Sequence, residues 1–144
     1  MNWMGKYTIY ISVLLIAGLI FTSCRKRDQY IPYVEVDIYV NINNPSFFQL
    51  TSISGWSYIN GGSKGLIAYR KSQEEILVFD RHCTFEAEKA CGSADVNDDN
   101  VTIDCICDGS KYLLQDGSII NGPAPYPLFQ YRTTFDGAIL HIFN

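Results

Sequence analysis

Cys83, Cys91, Cys105 and Cys107 are the residues of this chain best equipped for chemistry. Thiolates hold zinc or iron–sulfur centres, and in an oxidising setting they pair as disulfides. Cys105-Ile106-Cys107 is tighter than the usual knuckle spacing of a zinc site. No Cys-x-x-Cys opens a helical pattern, so a reactive dithiol has no spacing behind it. Four cysteines allow three pairings, and arithmetic alone does not choose among them. The only histidines are His82 and His141. In an extended loop His82 points away from the side that Cys83 faces, because successive side chains alternate. His141 falls in the last expected strand, and both rings are expected to be surface or half-buried. The acidic run Asp95–Asp99 lacks the ligand order of a calcium loop and is expected to be a solvated loop. The glycine-rich stretch Asn60–Gly65 lacks the spacing of a phosphate-cradling loop, and no helical pattern follows it; a turn is expected. No Ser-His-Asp set or carboxylate pair argues for an enzyme.

The N-terminus sets the compartment in which those thiols sit. Lys6 precedes an apolar run, Tyr7–Phe21, which is shorter than the roughly 20 residues a bilayer-spanning helix needs. Small Thr22-Ser23 then precede Cys24, the pattern of an export signal. Phe21-Thr22-Ser23-Cys24 resembles a bacterial lipobox, which implies cleavage before Cys24 and lipidation of that residue. The expected organisation is a signal peptide over 1–23, a lipidated tether over 24–33 and one domain over 34–144. Arg25-Lys26-Arg27 would lie against anionic headgroups beside the lipid. Such a chain belongs to the cell envelope, anchored to a membrane with its domain outside the cytoplasm, on the periplasmic face or at the outer membrane. There the four remaining cysteines are expected to pair unless they hold a metal. Losing Lys6 with the leader takes the formal charge from −4 to −5, and no basic block suggests nucleic acid.

The pattern of the remaining chain is that of strands. Tyr and Phe supply 18 of 144 residues, and β-branched side chains are frequent, which leans towards sheet. Val34–Ile42 alternates without a break, with Val34, Val36, Ile38, Val40 and Ile42 on one face. Phe47–Leu50 is expected to be a short extended piece, and Gly55–Ile59 to carry Trp56 into the core. Leu66–Arg70 and Ile76–Asp80 flank a polar loop as a hairpin. Val101–Ile103 leads into the Cys105 loop. Further hairpins follow across Gln115-Asp116-Gly117 and across Phe135-Asp136-Gly137. No mature segment sustains a 3.6-residue apolar period. The expected fold is therefore all-β, a small antiparallel sandwich or barrel.

Five landmarks occur in an order that resembles Rieske [2Fe–2S] domains. They are a hairpin ending in Asp80-Arg81, a first cysteine loop from Cys83, a second loop Cys105-Ile106-Cys107-Asp108-Gly109-Ser110, the proline loop Gly122-Pro123-Ala124-Pro125-Tyr126-Pro127-Leu128, and a closing hairpin. The resemblance runs from about Gly62 to the C-terminus and implies a two-loop, cluster-binding type of subdomain. In that family one iron takes two cysteines and the other two histidines. Mapped here, Cys83 and Cys105 match the cysteines, but Phe85 and Asp108 stand where the histidines belong. The resemblance implies that Cys107 is the second-loop bracing cysteine, with Cys91 as its partner. Without a cluster it implies a further disulfide, Cys83–Cys105, in place of the iron. Ser110 and Tyr112 match residues that hydrogen-bond cluster sulfurs; ordinary turn-capping and packing roles also fit them. The expectation is a non-enzymatic, lipid-anchored module with no cofactor, offering the loop tip to a protein partner. The alternative is an electron-transfer protein with an atypically ligated [2Fe–2S] centre.

Overall fold

The computed structural model describes residues 30–89 and 92–144. The leader, Cys24 and Cys91 lie outside the described residues. Among the described residues ten strands form two antiparallel sheets. The larger sheet has the order β1-β10-β9-β4-β3-β2, made of β1 (Asp37–Asn41), β10 (Ile139–Phe143), β9 (Gln130–Phe135), β4 (Ile76–Asp80), β3 (Leu66–Arg70) and β2 (Trp56–Ile59). The smaller has the order β5-β6-β7-β8, made of β5 (Asp95–Val96), β6 (Thr102–Cys105), β7 (Ser110–Leu113) and β8 (Ile119–Asn121). The fold is all-β, as expected. Among the described residues no pairing of β1 with β2 closes the large sheet into a barrel.

All ten residues of β3 and β4 are buried, because the hairpin is a wall shared by two cores. Leu66, Ala68, Ile76 and Val78 face one core, joined by Val40, Ile59, Tyr131, Leu140 and Ile142 from the other strands of the large sheet. Ile67, Tyr69, Leu77 and Phe79 face the second core, which the small sheet and the loops complete with Ile103, Tyr112, Leu114 and Leu128. A strand buried on both faces needs an unbroken apolar run, and these two have one. Edge strand β1 and its flanks keep the alternation from Val36 to Ile42, with Val36, Val40 and Ile42 buried and Tyr39 66 % exposed, but Val34, expected on the same face, is exposed. The ladder is shorter than Val34–Ile42, starting at Asp37. Before it, the Asn144 side chain replaces a partner strand, accepting from Val36 N at 3.1 Å and donating to Val34 O at 2.8 Å.

Two local expectations are corrected. Pro45–Thr51 forms a 3-10 segment kinked at Phe47, where Phe47–Leu50 was expected to be extended. Asn44 caps it by accepting from Ser46 N, Pro45 supplies a preset φ, and Leu50 is fully buried. The acidic run is also more ordered than a solvated loop. Asp95-Val96 pairs with Asp104-Ile103, and Asp99 closes the turn into β6 by accepting from Thr102 N and Val101 N. Those backbone bonds, Thr102's first, hold its carboxyl below the usual range. The glycine-rich stretch is a turn, and its role is described below.

Candidate functional site

The cysteine loops hang from a buried carboxylate at the end of β4. Asp80 is fully buried, and its two oxygens accept from four donors: Ser63 N at 2.7 Å, Tyr131 Oη at 2.9 Å, His82 N at 2.9 Å and Lys64 N at 3.2 Å. A buried charge persists only when it is hydrogen-bonded in this way. Gly62, at φ +61°, makes the approach possible, since a Cβ there would overlap Asp80 Oδ2. The glycine turn thus cradles an anion, and the anion is the protein's own carboxylate. Burial, and then the Asp80 charge, push the Tyr131 hydroxyl above the ordinary tyrosine range.

Beyond Asp80, several described residues of the first loop are anchored. Arg81 closes the loop's two ends, donating from Nε to Ala94 O at 2.9 Å and pairing with Asp95, while Ala94 N donates to Arg81 O at 2.6 Å. His82 is buried, deeper than the surface or half-buried position expected of it. Its Nε2 lies 2.8 Å from Ala87 O, and a carbonyl can only accept, so Nε2 carries a proton. Nδ1 lies 2.8 Å from Ser63 Oγ. Both ring nitrogens are therefore engaged by the protein.

Cys83 and Cys105 come next, buried and bonded to each other, with Cα atoms 5.9 Å apart. This is the pairing that the resemblance implied. Cys107 is disulfide-bonded and accepts from Gly92 N through Sγ at 2.9 Å. The expected Cys91–Cys107 pair involves a residue outside those described.

Ser110 and Tyr112 tie the loops together. Thr84 Oγ1 donates to Tyr126 O at 2.6 Å, so Tyr112 Oη donates to Thr84 Oγ1 at 2.9 Å. This short chain joins the first loop, β7 and the proline loop. Ser110 Oγ accepts from Ala124 N at 3.1 Å. Gly122, at φ +101°, lets the proline loop close on the second cysteine loop, since a Cβ would sit 2.5 Å from Ser110 Cα. Pro123 is exposed in that loop. Thr84 was passed over in the sequence, where it is a small polar residue between the two motif positions. Asp80 was legible only as half of a landmark pair.

Phe85 and Asp108 stand where the resemblance to Rieske domains would place histidines. Phe85 is half-buried and packs against the second core. Asp108 folds back on its own turn, accepting from Ser110 N through Oδ1 at 2.7 Å. Its Oδ2 is buried without a hydrogen-bond partner among the described residues. The two sulfurs and an Asp108 oxygen lie within 4.8 Å of one another. This donor set does not fit a Rieske cluster: the second iron would meet a phenyl ring and one hard carboxylate, not two imidazoles. The tip carries Ile106, 81 % exposed, and Tyr126, 48 % exposed and stacked on Tyr30 at 4.7 Å. The chain matches no family model and no curated protein.

Proposed function

We propose that the chain is a lipid-anchored, non-enzymatic module of Rieske-like design. In it a disulfide takes the place of the [2Fe–2S] cluster, and the loop tip binds a protein partner. The observation that carries this reading is the buried Cys83–Cys105 bond, formed between the two residues that correspond to cluster thiolates. Phe85 and Asp108 support it, since neither supplies an imidazole. The hydroxyls of Thr84, Tyr112 and Ser110 support it too, because they bind the protein's own loops. Exposed Ile106 and Tyr126 provide the tip with apolar surface of the kind that marks contact sites. The lipobox-like Phe21–Cys24 supports an anchor at Cys24 and a place in the cell envelope.

The decisive measurement is iron content and visible absorbance of the purified full-length chain, together with thiol titration after denaturation without reductant. The expected result is no stoichiometric iron and no free thiol at Cys83 or Cys105. Near-stoichiometric iron with cluster absorbance would overturn the reading in favour of an electron-transfer protein. Fatty-acid labelling tests the anchor separately: Cys24→Ala is expected to abolish it.

A further inference from the structure

The 3-10 segment and edge strand β2 border two open troughs of about 490 and 510 Å³. They share Phe48, Gln49 and Trp56, so the two form one continuous surface with those side chains at its centre. No Asp, Glu, Lys, Arg or His lines either trough, although the chain carries 26 Lys, Arg, Asp and Glu side chains. A charged ligand would find no counter-charge in that lining, and the charges behind Tyr58, Arg81 and Asp95, are paired with each other. The occupant that suits this lining is neutral.

The aromatic side chains all reach solvent, Trp56 only in part because it also packs against the second core. Phe48 is 72 % exposed on a segment anchored by buried Leu50. Trp56 is half-buried, and its Nε1 donates to Asn100 Oδ1 at 2.8 Å, which fixes the indole. Tyr58 meets Trp56 edge-on at 5.0 Å, and its hydroxyl accepts from Val96 N at 3.0 Å. Around them the polar side chains are Gln49 and nearby serines, while the Asn100 amide is taken up by Trp56 Nε1 and Asp98 O. Flat apolar rings beside neutral donors and acceptors match a pyranose, which has a C–H face to lie on an aromatic ring and hydroxyls to bond with amides. An open trough, unlike an enclosed cavity, admits a chain of such rings.

We propose that this trough binds a neutral oligosaccharide, with Phe48 and Trp56 as the stacking platforms. The test uses the full-length chain with Trp3→Phe, which leaves Trp56 as the only tryptophan, in a detergent without a sugar headgroup. Cellohexaose, maltohexaose and chitohexaose are titrated while Trp56 emission is followed, with oligogalacturonate as a charged pyranose control. At least one neutral probe is expected to shift the emission saturably, and the charged control to bind roughly tenfold more weakly. Phe48→Ala is expected to weaken binding roughly tenfold with an unchanged circular dichroism spectrum, since that ring is largely in solvent. Failure of all three neutral probes overturns the proposal, as does equal binding of the charged control or full affinity in Phe48→Ala. Sedimentation supplies the remaining outcome: a dimer abolished by Phe48→Ala assigns the trough to a second copy of the chain and also overturns it.

Discussion

The β3–β4 hairpin separates two lobes built by different means. On one face Leu66, Ala68, Ile76 and Val78 meet strands of four to six residues, with buried Arg70 and Asp80 on the same side at the two ends of the hairpin. On the other face Ile67, Tyr69, Leu77 and Phe79 meet strands of two to four residues and long loops. Short strands bury little and make few ladder bonds, so the second lobe adds a disulfide and the Thr84 chain, and the Asp80 cradle joins it to the first. The first lobe is held by side-chain burial. The second is held by specific bonds between segments distant in sequence. The lobe that resembles a cofactor site is therefore the one that depends on cross-links.

Substitutions that act on one lobe at a time test this contrast. Leu140→Ala, in the first core, is expected to have the largest effect, destabilising by about 2–5 kcal/mol in denaturant titration. That loss should be the same with and without reductant; a loss that appears only under reduction would refute the division. The double variant Cys83→Ala with Cys105→Ala is expected to cost about 2–4 kcal/mol, because it frees the loop between them in the unfolded chain. Hydrogen exchange should show its effect concentrated in β5–β8, and uniform loss of protection across both sheets would argue against a separate lobe. Thr84→Val is expected to cost about 1–3 kcal/mol, because it leaves Tyr112 Oη and Tyr126 O without their buried partner. Thr84→Ser should restore most of that stability; if it does not, the methyl group and not the hydroxyl matters.

The smallest effect is a pH dependence at the junction of the lobes. Tyr131 has its folded-state pKa raised above the unfolded value, by burial first and by Asp80 second. Its contribution is therefore complete below about pH 10 and is lost as pH rises beyond that, where only the unfolded chain ionises. Tyr131→Phe is expected to cost about 1 kcal/mol at neutral pH through the lost bond to Asp80. It should also flatten the alkaline decline between about pH 9 and about pH 11. An equally steep decline in the variant would assign the alkaline sensitivity to other groups.

Strands were legible where the information is local. Alternation in Val34–Ile42 and the turn residues of three hairpins depend on neighbours a few residues apart, and the structure forms strands there. Pro45 carried a signal for the 3-10 segment, but aromatic Phe47-Phe48 favours extended chain in isolation, and the buried side of Leu50 decided the matter. The Asp95–Asp99 run looked like loop because a two-residue strand has no period of its own.

The composition and order of the chain by themselves determined an all-β fold with Cys83 beyond a hairpin and Cys105 next to a turn, and the structure makes Cys105 the last residue of β6. Only the tertiary structure decided what those loops hang from. The donors around Asp80 come from residues 63, 64, 82 and 131, and the Thr84 chain reaches residues 112 and 126. No local pattern encodes such contacts, because a carboxylate or hydroxyl acquires its role from whatever the fold brings within about 3 Å of it. The same holds for the trough beside β2, whose neutrality is a property of side chains gathered from residues 45–58 and from Asn100.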